Sequence, residues 1–190
     1  MQVNSYTDTE RNLAVELILE DIPGGGTVEN DDFPTSSSGM KAGALLGKAS
    51  DGIWHLTKTA MLVEGVGTTA SGFEVLNNHE FKVGDYLTVP TLASSGTAIT
   101  AISASGTGND VIEVYWEGPA VAASGLIVAA SGIGASPMKY PPTAIASNSF
   151  SLDDENTGVG LMVRGRVVKN LQPYYTDATL RALFPLVRFV

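Results

Sequence analysis

Hydrophobic positions in this chain come in short runs, mostly with a period of two, separated by glycine-containing pairs. In residues 110–116, DVIEVYW, Ile112, Val114 and Trp116 fall on one face and Val111, Glu113 and Tyr115 on the other. That alternation predicts a half-buried strand. Residues 97–103, TAITAIS, alternate in the same way, and residues 106–109 turn one run into the other. Residues 73–76 and 86–90 read as further strands, with Gly84-Asp85 marking a tight turn before the second. Between residues 40 and 63, two apolar runs flank Ser50-Asp51-Gly52, and Asp-Gly suits hairpin turns that need positive φ. Six Ser-Gly pairs, from Ser38-Gly39 to Ser131-Gly132, supply further reversals, because Gly reaches positive φ and Ser bonds back to its own backbone.

The two ends read differently. In residues 13–20, LAVELILE, Val15, Leu17 and Leu19 share a face opposite Glu16 and Glu20, which suits a half-buried strand or a short helix. Pro23-Gly24-Gly25-Gly26 and an acidic, Ser-rich stretch follow, so residues 1–38 read as an N-terminal arm and linker. Residues 119–136 are apolar and low in complexity. Pro137, Pro141 and Pro142 lead into a unit where residues 149–152 and 159–168 form a hairpin about the polar loop Asp153–Gly158. Residues 176–184 predict one helix, capped by Thr176, with Leu180, Leu183 and Phe184 at helical spacing and Pro185 as its stop. The last five residues read as a buried strand. The fold expected is mainly β: the arm (1–38), a small barrel or sandwich module (39–118), a low-complexity β linker (119–136) and a β-plus-helix module (137–190).

Composition narrows the function. Charged residues are 16% of the 190, well under the usual quarter, while 44% are hydrophobic, which argues against wholesale disorder. A soluble chain so poor in charge is expected to hide surface against neighbours. A net charge of −9 has the wrong sign for tracking phosphates, so nucleic acid is not an expected partner. Residues 1–38 hold eight carboxylates against Arg11, and residues 164–190 hold Arg164, Arg166, Lys169, Arg181 and Arg188 against Asp177. Ends of opposite sign can steer one copy onto another. No apolar run reaches membrane-spanning length, and the polar, acidic start lacks the layout of a secretion signal, so a cytoplasmic origin is expected.

Candidate chemistry is sparse. The absence of cysteine removes disulfides, thiolate catalysis and thiolate metal sites. His55 and His79 lack metal-binding spacing and read as structural or surface residues. Asp153, Asp154, Glu155 and Asn156 could ligate calcium but lack an EF-hand pattern, and a solvated hairpin tip explains them better. Gly24-Gly25-Gly26 has no Lys-Ser/Thr after it, no GxSxG elbow occurs, and no carboxylate pair nominates itself for glycoside hydrolysis. Trp54, Trp116, Tyr86, Tyr115, Tyr174 and Tyr175 could face a sugar, although strand aromatics usually serve packing. The chain is not expected to be an enzyme or to need a cofactor.

Three stretches occur together in order. They are Lys41–Lys48 (KAGALLGK) followed by Trp54-His55-Leu56, then Phe81-Lys82-Val83-Gly84-Asp85, then a tail of VRGRVV (163–168), LQPYY (171–175) and LFPLVRF (183–189). Over about residues 39–190 this order resembles the head fibre and head decoration proteins of tailed bacteriophages. The resemblance implies a virion structural protein on the capsid exterior, made in the host bacterial cytoplasm and added in several copies, without catalysis. It implies a homo-oligomer, a trimer by analogy, with the major capsid protein or other virion proteins as partners, no membrane and no nucleic acid. A phage tail or portal-proximal component, and a carbohydrate-binding module for a host glycan, are the alternatives. Contacts between chains are expected from the arm (Leu13, Val15, Leu17, Leu19) and the C-terminal stretch (Leu180, Leu183, Phe184, Leu186, Phe189).

Overall fold

The alternating run of residues 110–116 becomes β9 (Asn109–Glu117), the longest strand among the described residues, with Ile112, Val114 and Trp116 buried and Glu113, Tyr115 and Glu117 exposed. This is seen in a computed structural model that describes residues 14–90, 95–105, 108–135, 137–151 and 157–190. β9 pairs antiparallel with β8 (Thr97–Ala104) and with β6 (Thr69–Leu76). β7 (Tyr86–Thr88), β10 (Leu126–Ala130) and β5 (Thr59–Met61) extend the sheet in the order β5-β10-β7-β8-β9-β6. Its outer strands meet where Leu62 bridges Val75 and Val63 N–H donates to Glu74 O, so this sheet curls round Phe73, Leu87, Ile112, Trp116 and Ile127. The Phe73 and Trp116 rings meet edge to face with centroids 5.3 Å apart.

A second, eight-stranded sheet gathers the rest. Its order is β1 (Val15–Asp21), β13 (Leu161–Val167), β11 (Ala144–Ala146), β3 (Leu45–Lys48), β4 (Trp54–Leu56), β2 (Gly26–Val28) and β12 (Thr157–Val159). β14 (Val187–Phe189) runs parallel to β13. β3 and β4 are the hairpin predicted at Ser50-Asp51-Gly52, with Gly52 at φ +91° and Ile53 N–H donating to Asp51 Oδ1. The chain is mainly β, 45% strand and 7% helical, with a single short α-helix near the C-terminus among the described residues, as expected.

Several boundaries differ from the sequence reading. Residues 14–38 are not an appendage: β1 lies on β13, and β2 lies between β4 and β12. The stretch 39–118 is shared out, β3 and β4 going to one sheet and β5–β9 to the other. Residues 126–130 are not linker. All five residues of β10 are buried, because Ile127 and Ala129 face the barrel core while Leu126 and Val128 join Leu45, Ile145 and Met162 on the other side. A strand covered on both faces shows no alternation, which is why it reads as low complexity. In the hairpin expected about residues 153–158, the strand that pairs antiparallel with β13 is β11 rather than residues 149–152, because Phe150 bridges Met40 and β12 pairs with β2; residues 152–156 lie outside the described residues. The helix is one turn, α1 (Ala178–Arg181), capped by Asp177, whose carboxylate accepts Leu180 N–H at 2.8 Å. Thr176 instead bonds its hydroxyl to Gln172.

Candidate functional site

β1 ends its sheet, and among the described residues it pairs only with β13. Edge strands usually carry charge or cover. This one exposes Leu17 (43%), Ile18 (44%) and Leu19 (61%). Across β13 the rows are Val15–Val167–Phe189, Leu17–Arg166–Arg188 and Ile18–Gly165–Val187. β13 can be approached so closely because Gly165 has no side chain; a Cβ there would run into Leu17 O. Glu16 pairs with Arg166 at 3.1 Å, and Glu20 sits opposite Arg164. The acidic and basic ends of the sequence therefore meet first within one chain.

The predicted contact residues divide. Leu17 and Leu19 are exposed on β1, and Leu183 (45%) and Leu186 (60%) are exposed near β14. Val15 and Phe189 are half-buried. Leu180 and Phe184 are not surface residues: both are buried with Val167 and Val187 in the chain's own core. Helical spacing identified them as a face, but that face turns inward. Leu13 lies outside the described residues, as do the calcium candidates Asp153, Asp154, Glu155 and Asn156.

A second feature is a line of buried polar pairs that the sequence gives no sign of. Asp32 Oδ2 lies 3.0 Å from His55 Nδ1 and accepts Leu56 N–H at 3.0 Å, while the His55 ring stacks on Tyr140 at 3.9 Å. Burial raises the Asp32 pKa, and the His55 ring opposes the shift. Lys58 Nζ contacts Asp85 Oδ2, and burial lowers the lysine pKa against the pull of that carboxylate. His79 Nδ1 accepts Phe81 N–H at 3.2 Å, so its proton sits on Nε2, 3.3 Å from Asp110 Oδ2. Burial lowers the His79 pKa. Glu80 accepts from the buried Tyr174 hydroxyl, and burial raises the pKa of both. Their partners lie 23 to 94 residues away, beyond any local pattern.

A cleft of about 490 Å³ beside these pairs is lined by Ser37, Lys41, His79, Glu80, Lys82 and Asp110. Two of its charged groups are held by hydrogen bonds: Lys82 Nζ donates to Asp31 O, and Glu80 accepts from the Tyr174 hydroxyl. Both histidines are used in bracing, and among the described residues no group of three or more His, Asp or Glu could hold a metal ion. The proposed sugar-facing tryptophans are internal, Trp54 at 6% and Trp116 at 1% exposure. Tyr115 is the exposed ring, at 74%, with its hydroxyl 2.7 Å from Glu117. Among the described residues no helix is long and apolar enough to cross a membrane. No family model, curated protein or solved structure matches this chain.

Proposed function

We propose that this chain is a virion structural protein, a homo-oligomer that decorates, or attaches as a head fibre to, the exterior of a bacteriophage capsid. The observation that carries the reading is the concentration of exposed apolar side chains, Leu17, Ile18, Leu19, Leu183 and Leu186, around the β1–β13–β14 end of one sheet. Such a patch left in water is a liability, whereas covered by a partner it supplies binding energy. The ordered motifs of residues 39–190 support the same reading. The buried polar pairs fit it too, since Asp32 with His55, Lys58 with Asp85 and Glu80 with Tyr174 each tie together segments far apart in the chain. Many copies on a repeating lattice gain avidity, so modest contacts per chain suffice.

Co-sedimentation of the purified chain with capsids of the phage or prophage that encodes it tests this. Saturation at a fixed number of copies per capsid is expected; a chain left in the supernatant at every concentration rejects the reading. A host-glycan role is favoured by one observation, the open Tyr115 ring beside Glu117, Thr69 and Ser71. Glycan-array binding that Tyr115→Ala removes, with capsid binding unchanged, is what that second role requires.

A further inference from the structure

The eight-stranded sheet has two ends of opposite character at one place. On one side of β13, β1 presents Leu17, Ile18 and Leu19 with the carboxylates of Glu16, Glu20 and Asp21. On the other side, β14 presents Arg188 flanked by Leu186 and Val190, 60% and 38% exposed. Among the described residues β14, like β1, pairs only with β13. Arg188 sits beside Arg166 in the parallel register, and Glu16 reaches Arg166 alone. Arg166 thus holds that carboxylate and Arg188 does not, and the Glu20 and Arg188 side chains have no hydrogen-bond or ion-pair partner among the described residues.

We infer that copies of this chain join head to tail, the β1 edge of one copy pairing with the β14 edge of the next. The partner is a second copy, and charge complementarity selects it. An acidic apolar strand meets a basic apolar strand, and Glu20 gains the region of Arg188. The obvious rival is a twofold pairing of β1 with itself. In an antiparallel pair centred on Ile18, Glu16 falls opposite Glu20, placing like charges together, which is unfavourable. Head-to-tail pairing has no such clash. Within one chain β1 runs antiparallel to β13 and β14 parallel to it, so a rotation axis along the strands makes the new pair antiparallel. An interface between two different edges is heterologous, and it closes into a ring when the rotation allows. This deepens the homo-oligomer part of the function proposed above by naming its two surfaces.

The test uses two full-length variants at exposed positions. Leu19→Lys blocks the β1 edge, and Leu186→Lys blocks the β14 edge. The wild type should show a multiple of the 19.8 kDa chain mass by size-exclusion light scattering, and each variant alone should fall to the monomer mass. Mixed, the two variants should give a species of twice the chain mass and no larger, because one intact edge of each kind remains. If Leu186→Lys assembles like the wild type, or the mixture stays monomeric, the head-to-tail pairing is overturned. Should either lysine variant lose its far-ultraviolet circular dichroism, the exposed charge reversals Glu20→Arg and Arg188→Glu replace the pair: each alone should fall to the monomer mass, and their mixture, whose reversed edges complement one another, should return to the wild-type mass. A chain that is monomeric yet saturates capsids overturns this pairing alone, whereas assembly without capsid binding overturns only the decoration reading.

Discussion

Lys58 Nζ stands 2.7 Å from Asp85 Oδ2, with the lysine side chain 4% exposed and the aspartate 11%. The pair ties the segment just before β5 to the turn that opens β7, where Asp85 also accepts Lys82 N–H at 3.0 Å. Removing one member of a buried pair strands the other charge away from water. Asp85→Asn should therefore lose about 3 kcal/mol of unfolding free energy. The double change Lys58→Met with Asp85→Asn, which removes both buried charges together, should lose far less. Urea unfolding followed by tryptophan fluorescence measures both, and equal losses would deny the pair its bracing role.

His79 makes the fold sensitive to acid. Its ordinary pKa is 6.5, and burial lowers it in the folded chain. The unfolded chain then binds more protons just below pH 6.5, so stability falls as pH drops through that range. Geometry adds to the effect, because a proton on Nδ1 would face the Phe81 N–H. Asp32 and Glu80 act in the opposite sense: burial raises their pKa values above 3.8 and 4.5, so the folded chain holds their protons better. Their contribution to stability falls as pH rises through the range above those values. His79→Gln should flatten the decline in urea midpoint between about pH 6.5 and 5. An unchanged slope would assign the acid response to other groups.

Gly165 sets how closely β1 approaches β13. A methyl group there would meet Leu17 O and the Met162 side chain, and backbone cannot yield cheaply. Gly165→Ala should destabilise the fold by about 2 kcal/mol and free β1 selectively. Hydrogen exchange should show faster exchange in residues 15–21 than in β9; uniform protection would contradict the argument.

Residues 14–21 belong to the folded body. Ala14 is fully buried, and Val168 N–H donates to Ala14 O. Deleting residues 1–21 should uncover the side of β13 that carries Gly165 and Val167 and give a chain that aggregates or melts far below the wild type. A truncated chain with an unchanged melting temperature would restore the view of this region as an arm.

The sequence made the amphipathic parts legible and the shared parts obscure. β9 and the β3–β4 hairpin were readable because half-burial leaves alternation and Asp51-Gly52 fits a positive-φ turn. β10 was not, because both its faces are covered. Strands of three residues, such as β2 and β11, are too short to carry a period and exist through partners far along the chain. The LAVELILE pattern marked Leu17 and Leu19 as a face, and that face is open. The same logic at Leu180 and Phe184 marked a face that the chain itself covers, a distinction set by tertiary packing. The pairs Asp32–His55, Lys58–Asp85 and His79–Asp110 had no signal, since sequence separation hides them.

Cryo-electron microscopy of phage particles grown with and without the gene tests the central claim most directly. The account predicts ordered outer density, repeated by the capsid symmetry and fitted by these two sheets, that disappears when the gene is removed. Identical particle surfaces in the two preparations would contradict it.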